Sequence, residues 1–321
     1  EKETFDREIL VPFCPESDLS GIGYKDFIPG VWYHRTITLT GEELKGDLLL
    51  HFGAVDYNAR VWINGVEAGR HQGGYVSFTF NITKFVKKGE NDITLFAADD
   101  VRSGKQPKGK QSHFFYSRGC DYTRTTGIWQ TVWLEWVPES YIEKVQYYPN
   151  LAEATLGIKA VVKGQGTLEA KAFYGGEPCG SVSAKSEGGT VTMTLPLSRL
   201  EKWEPGHGRL YDLTLTYGED KVESYFGMRE VRLDGEKFLI NDKSVFQRLV
   251  LDQGFYPDGI YTAPTEHLSR MWNCPWLQAS TAQDSIRRYL SLCSCITAIK
   301  QAIWYGASRA VGDWITAIPQ H

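Results

Sequence analysis

The sequence predicts a mainly β protein built from two successive sandwich domains, and three observations predict it. Short apolar runs with alternating polar residues recur along residues 1–230. Turn-forming Gly, Asn and Pro residues separate these runs at close spacing. The 321 residues include 10 Trp, 17 Tyr and 15 Phe, which strands favour. Helical spacing first appears after Thr265.

The clearest local element is a β-hairpin early in the chain. Residues 59–63 alternate as a strand with one buried face does. Asn64-Gly65 follows, and this pair suits a type I′ turn because both central residues need positive φ. Residues 66–68 form the return strand, and we expect Gly69 to end it.

Residues 1–139 hold further runs of this kind. Strands are also predicted over residues 9–11, 31–39, 48–52, 92–96 and 129–137. Many strands at close spacing indicate a jelly-roll or sandwich. The polar stretch 101–126 is long for a loop inside a compact domain. Its four Lys and Arg residues between 102 and 110 are interpreted as a solvated face.

The sequence pattern changes after Pro138-Glu139, which we interpret as a linker. Alternating strands are predicted over residues 155–162, 167–174, 189–195 and 211–217. Such strands across residues 140–230 indicate an immunoglobulin-like sandwich without its disulfide. The thiols of Cys14, Cys120 and Cys179 are predicted to be free.

From residue 231 the pattern changes again. Residues 231–233 and 237–240 predict a small hairpin, and residues 244–251 an apolar strand of the kind buried in a parallel sheet. An amphipathic helix is predicted from apolar residues at helical spacing between Ile286 and Ala307.

Composition and charge exclude several kinds of function. The net charge of -4 gives no field that would favour nucleic acid, and no apolar run is long enough to span a membrane. Cys293-x-Cys295 lacks the spacing of a zinc or redox pair. We therefore predict no nucleic-acid or membrane partner, no metal and no cofactor.

Six motifs in order resemble those of a known enzyme family. They are residues 13–22 (FCPESDLSGI), 32–35 (WYHR), 56–65 (DYNARVWING), 126–134 (TGIWQTVWL), 226–231 (FGMREV) and 241–248 (NDKSVFQR). Together they are similar to glycoside hydrolase family 2, which contains β-galactosidases, β-glucuronidases and β-mannosidases. The resemblance covers residues 1 to about 265.

The resemblance implies three domains and a reaction class. The domains are a jelly-roll sugar-binding-like domain (1–139), an immunoglobulin-like β-sandwich (140–230) and the incomplete start of a (β/α)₈ barrel with a divergent helical tail (231–321). Family members are retaining β-glycosidases that use two barrel Glu residues, one as acid/base and one as nucleophile. The expected substrate of the intact relative is a β-galactoside.

The sequence departs from the family where the catalytic residues are expected. The family acid/base Glu follows an Asn, and this sequence has no Asn-Glu dipeptide. No catalytic residue is therefore assigned, and we expect the chain alone to be inactive. The composition also shifts after Thr265, with three of the six Cys and three of the ten Trp in residues 272–304. A reading-frame change or a fusion is the hypothesis for that shift.

Three residues are candidates for substrate binding. Asp121 lies six residues before Gly127, where the family carries a carboxylate that binds substrate hydroxyls; the alternative is an Asp that only forms a turn. Asp252 and Gln253 end the predicted first barrel strand, where functional residues of such barrels lie. The family usually carries Arg-His at those two positions.

Two functions without catalysis stay open beside the glycosidase. One is a non-catalytic carbohydrate-binding module, and the other is an oligomerisation module. The predicted partners are a carbohydrate, either a β-galactoside or a related glycan, and a second copy of the chain in a homo-oligomer. The sequence does not determine the location, for which the bacterial cytoplasm or periplasm is the first expectation.

Overall fold

A computed structural model describes Phe5, residues 7–41, 44–247 and 254–264, and the backbone of two short strands after residue 307. The chain divides into two compact units, with the boundary between Trp136 and Val137. The second unit extends to Val250. Residues 254–264 belong to the first unit.

The first unit is built from short strands. They are β1 (Arg7–Ile9), β2 (Gly30–Leu39), β3 (Asp47–Phe52), β4 (Val55–Asp56), β5 (Asn58–Ile63), β6 (Val66–Gln72), β7 (Phe78–Asn81), β8 (Gly89–Ala98), β9 (Gly127–Ile128) and β10 (Val132–Val137). Single 3₁₀ turns span Asp18–Ser20 and Thr83–Phe85.

The strands of the first unit form two main antiparallel sheets. One sheet has the order β1-β22-β2-β8-β5-β6 and the other the order β21-β10-β3-β7, where β21 is Ser308–Ala310 and β22 is Trp314–Ala317. Strands β4 and β9 pair separately. Alternate residues of both sheets enter one core, which contains Tyr33 and Leu95 from the first sheet and Phe52 from the second. The predicted jelly-roll-like sandwich is confirmed.

The second unit is also a sandwich of antiparallel strands. Its strands are β11 (Tyr141–Asn150), β12 (Thr155–Lys163), β13 (Gly166–Tyr174), β14 (Glu177–Ser186), β15 (Gly189–Pro196), β16 (Tyr211–Tyr217), β17 (Asp220–Phe226), β18 (Val231–Asp234), β19 (Lys237–Ile240) and β20 (Lys243–Ser244). The sheets β11-β12-β15 and β14-β13-β16-β17 share a core that includes Ile158 and Leu215. The predicted immunoglobulin-like sandwich is thus confirmed.

The predicted hairpin is present, but one of its details was wrong. Asn64 and Gly65 have φ of 52° and 80°, as a type I′ turn requires. The return strand does not end at Gly69 and continues to Gln72. Gly69 lies against the ring of Phe80, which leaves no room for a Cβ atom. The glycine is therefore a close-packing position inside the strand.

The strand predicted over residues 244–251 was wrong in its described part. Only Lys243–Ser244 is a strand, and it completes the small sheet β18-β19-β20. Residues 245–247 follow without strand structure, and Phe246 is 82% exposed. An apolar run becomes a buried strand only where neighbouring strands cover it. The described residues of the segment 231–264 contain no helix of a barrel.

The cysteine prediction is confirmed for the thiols that the structure describes. Cys14 and Cys179 are buried and Cys120 is exposed, and all three are free. The predicted helix between Ile286 and Ala307 lies outside the described residues, as do the other three cysteines.

Candidate functional site

The loop that joins β8 to β9, residues 99–126, carries Asp121. Its backbone closes a turn with Arg118, because the Asp121 N–H donates to Arg118 O at 3.0 Å and the Arg118 N–H donates to Asp121 O at 3.1 Å. The Asp121 side chain is 25% exposed. Asp121 therefore forms a turn and also offers a carboxylate at the surface of the first unit.

The carboxylate of Asp121 has one cationic partner. Lys108 Nζ lies 3.2 Å from Asp121 Oδ2 and donates a second hydrogen bond to Gln111 O at 2.6 Å. A carboxylate has about four lone-pair sites, so Asp121 can still accept from ligand hydroxyls. The sequence does not predict this role for Lys108, because its charge alone indicates a solvated face.

Gln111 holds the loop onto β4. The side chain is fully buried, and its Nε2 donates to Asp56 Oδ2 at 2.6 Å. Its Oε1 accepts from the Thr125 N–H at 2.8 Å. A Cβ atom at Gly74 would collide with the Asp56 carboxylate, so only glycine fits beside it. Gln111 thus fixes both ends of the loop segment that contains Asp121.

Arg124 organises the opposite part of the same loop. The side chain is 1% exposed, and its guanidinium donates to the main-chain oxygens of Phe114 and Lys25. It also reaches Ser112 O at 3.4 Å. Burial lowers the pKa of Arg124. One charged group therefore satisfies several main-chain carbonyls and fixes the path of residues 112–115.

Three buried carboxyl groups lie beneath the loop. Burial raises the pKa of Glu16 to about 7, of Asp56 to about 8 and of Asp99 to about 6. The negative charge of Asp99 adds to the effect at both other groups. Thr126 binds two of them, through its N–H to Glu16 Oε2 at 3.1 Å and its hydroxyl to Asp99 Oδ2 at 3.2 Å.

Residues 254–264 pack beside this loop within the first unit. The ring of Phe255 stacks on Tyr122, the neighbour of Asp121, with 4.2 Å between centroids. The Thr262 hydroxyl donates to Trp129 O at 2.5 Å. The Ser17 hydroxyl donates to Asp258 O at 2.6 Å. The described segment 254–264, which follows the predicted first barrel strand, is therefore fixed next to the loop that carries Asp121.

Asp252 and Gln253 lie outside the described residues, so the structure does not place them relative to Asp121. Among the residues that the structure describes, no cluster of three or more His, Cys, Asp or Glu residues is arranged to hold a metal. No helix in the described part of the chain is long and apolar enough to cross a bilayer.

Two family models match consecutive parts of the chain. Residues 20–138 match the model described as "Glycosyl hydrolases family 2, sugar binding domain". Residues 140–229 match the model described as "Glycosyl hydrolases family 2". Together the two matches cover more than half of the 321 residues, in the order that the motifs predict.

Curated relatives carry two enzyme names. A putative β-glucuronidase of Formosa agariphila is 27% identical over 68% of this chain and 27% of its own length. A β-galactosidase of Thermoanaerobacter pseudethanolicus is 27% identical over 65% of this chain and 30% of its own length. The β-glucuronidase of Felis catus is 26% identical over 69% and 39%. The chain thus spans well under half the length of these relatives.

Solved structures show the same fold. The β-glucuronidase of Ruminococcus gnavus superposes with a TM-score of 0.71 at 19% identity, over 84% of this chain and 47% of that one. At this identity the likeness concerns the fold. The two matched domains and their order show that the chain belongs to glycoside hydrolase family 2.

Proposed function

We propose that this chain is the N-terminal, non-catalytic part of a retaining β-glycosidase. The observation that carries the proposal is the pair of family domains in sequence, followed by residues 254–264 packed against the first. The three-domain division at residues 139 and 230 is part of this proposal. The complete enzyme would use two barrel carboxyl groups about 5 Å apart, which this chain does not supply.

For the complete enzyme we propose a β-glucuronide as substrate, in preference to the β-galactoside that the sequence predicted. Relatives named β-glucuronidase support this choice, and a related structure holds D-glucuronic acid. The relative named β-galactosidase keeps β-galactosides as the second candidate. A homo-oligomeric assembly also remains a prediction.

Asp121 is proposed to bind substrate hydroxyls at the rim of the active site. Its carboxylate supplies acceptors, while Lys108 supplies a donor 3.2 Å away. Gln111 and the turn at Arg118 hold the backbone on either side, so little loop entropy opposes binding. Asp252 and Gln253 remain candidate contacts from the barrel strand.

The test is a kinetic comparison on the full-length product of the gene. We expect nitrophenyl β-glucuronide to be hydrolysed with a higher kcat/KM than nitrophenyl β-galactoside. Asp121→Ala should lower kcat/KM by about 100-fold or more, as the loss of two hydrogen bonds to a charged group implies. Asp212→Ala, an exposed Asp on β16, is the matched control. Unchanged kinetics in Asp121→Ala would refute its role, and a preference for the galactoside would assign the second substrate.

A further inference from the structure

Strand β18 of the second unit is an uncovered edge strand. It ends the three-stranded sheet β18-β19-β20, and the described strands pair with it on one side only. All four of its residues are exposed, and two of them are apolar: Val231 at 49% and Leu233 at 74%. An edge strand of this kind offers main-chain donors and acceptors to a further strand.

The main-chain hydrogen bonds of β18 alternate in direction. Glu230 O, just before the strand, accepts from the Asn241 N–H at 3.0 Å and so faces the β19 side. Bonded and non-bonded positions alternate along an antiparallel pair, so the even-numbered residues of β18 also face β19. The N–H and C=O groups of Val231 and Leu233 consequently point to the open side.

The order of residues in β18, Val-Arg-Leu-Asp, is self-complementary in one antiparallel register. The outward main-chain groups of two copies meet when Leu233 lies opposite Leu233 of the second copy. Arg232 of each copy then lies opposite Asp234 of the other, at a non-hydrogen-bonded position where side chains are closest. A shift of two residues in either direction would place Arg232 opposite Arg232 or Asp234 opposite Asp234. Charge therefore selects one register, with a two-fold axis at Leu233.

The side chains on both faces of β18 are compatible with this pairing. Arg232 donates to Asp242 Oδ1 through Nε at 2.9 Å and through Nη2 at 2.7 Å. A guanidinium carries five N–H donors, so Arg232 can bind a second carboxylate and keep Asp242. On the other face, Leu233 lies opposite the half-buried Phe238. Pairing would bring the apolar side chains of both copies onto one surface and bury part of their area.

We propose that a second copy of this chain docks on β18, so that the two three-stranded sheets continue as one across a two-fold axis. This interface gives a location to the predicted homo-oligomer, for which no surface has been named. It does not depend on the proposed substrate or on catalysis, and its failure would leave both untouched. Because the paired segment is short, we expect a weak, reversible dimer with a Kd of about 0.1 mM.

The test is sedimentation velocity of the purified chain from about 10 µM to about 500 µM, a range that brackets the expected Kd. The mean mass should rise from monomer towards dimer, and hydrogen exchange of residues 231–234 should slow at the higher concentration. Arg232→Asp and Asp234→Arg should each weaken association about tenfold or more, because both cross-strand pairs become like-charged. Glu223→Arg, on the edge strand β17, is the matched control and should associate as the parent does.

Mixing the two variants gives a positive test that misfolding cannot imitate. In a mixed pair of Arg232→Asp with Asp234→Arg, each cross-strand pair again joins unlike charges. The equimolar mixture should therefore associate about as strongly as the parent, although neither variant does so alone. Three results would overturn the proposal: a parent chain that stays monomeric throughout the range, single variants that associate like the parent, and a mixture that associates no more strongly than its components.

Discussion

Gln111 donates a hydrogen bond of 2.6 Å to Asp56, and both side chains are fully buried. The bond joins the middle of the 99–126 loop to strand β4, which lies 55 residues earlier in the chain. It replaces a water contact for two polar groups inside the first unit. The loop is consequently anchored to the sandwich and forms a rigid support for Asp121.

Replacing Gln111 should reveal the strength of this support. Gln111→Leu keeps the approximate size of the side chain but leaves Asp56 and the Thr125 N–H without their partner. We expect the free energy of unfolding in urea to fall by about 2–4 kcal/mol. Gln146→Leu, at an exposed position of β11, should change it by about 0.5 kcal/mol or less. Equal stability of the two variants would mean that Gln111 is not a structural link.

The buried carboxyl groups should make stability depend on pH. Their folded pKa values of about 7, 8 and 6 lie above the ordinary values of 4.5, 3.8 and 3.8 for Glu16, Asp56 and Asp99. The fold therefore favours the neutral forms, and this stabilisation is complete below the ordinary values and is lost as pH rises through 6 to 8. We expect Tm to fall between about pH 5 and about pH 9.

Asp56→Asn tests the assignment of that dependence. The amide cannot ionise, so the fall in Tm across the upper part of the range should be smaller than in the parent chain. Arg70 and Arg60 lower the pKa of Glu67 to about 2, so this group makes stability rise with pH. Its effect is confined to pH values below its ordinary pKa of 4.5. A Tm that rises with pH above 5, or a profile unchanged in Asp56→Asn, would contradict the account.

Arg124 should protect the loop from cleavage. In Arg124→Met the part-buried carbonyls of Phe114 and Lys25 lose a charged donor, and a hydrogen bond to a charged group contributes about 1.5–3 kcal/mol. We expect limited proteolysis to cut the chain within residues 112–118 faster than in the parent. Arg70→Met removes an exposed arginine paired with Glu67 and should leave the cleavage rate unchanged. Identical digestion patterns for the two variants would exclude the proposed role of Arg124.

Replacing Asn64 should lower the free energy of unfolding more than replacing a turn asparagine usually does. Its Nδ2 donates to Phe85 O and to Asn91 Oδ1, both at 2.9 Å, and its Oδ1 accepts from the Asp92 N–H at 3.0 Å. We expect Asn64→Ala to lower the free energy of unfolding by about 2–3 kcal/mol. Asn58→Ala, at an exposed position of β5, should cost much less, and similar losses in both would contradict this reading.

The sequence predicted those elements whose signal is local. Strand β12 and the Asn64-Gly65 turn follow from alternation and from positive φ, which neighbouring residues alone determine. Strands β11 and β14 were not predicted, because most of their residues are exposed or half-buried and show little apolar periodicity. Mainly polar strands of this kind are recognised through their partners.

The support of the candidate site depends on contacts that the sequence cannot show. In the sequence Arg124 is one of several charged residues in a polar loop. In the structure its guanidinium donates to Lys25 O, 99 residues away in the chain. Gln111 is likewise a polar residue of this loop in the sequence, and only its hydrogen bond to Asp56 explains why it can be buried. The family resemblance predicts Asp121 as a site residue, whereas only the structure shows that Lys108 lies beside it.

The central claim, that this chain is the non-catalytic part of a β-glycosidase, is tested most directly by one assay. The purified chain is incubated with nitrophenyl β-glucuronide and nitrophenyl β-galactoside, and nitrophenol release is followed against a blank without protein. We expect no release above the blank, because the sequence has no Asn-Glu dipeptide, the motif in which the family carries its acid/base Glu. Release that scales with protein concentration would contradict the claim and place catalytic groups within these 321 residues.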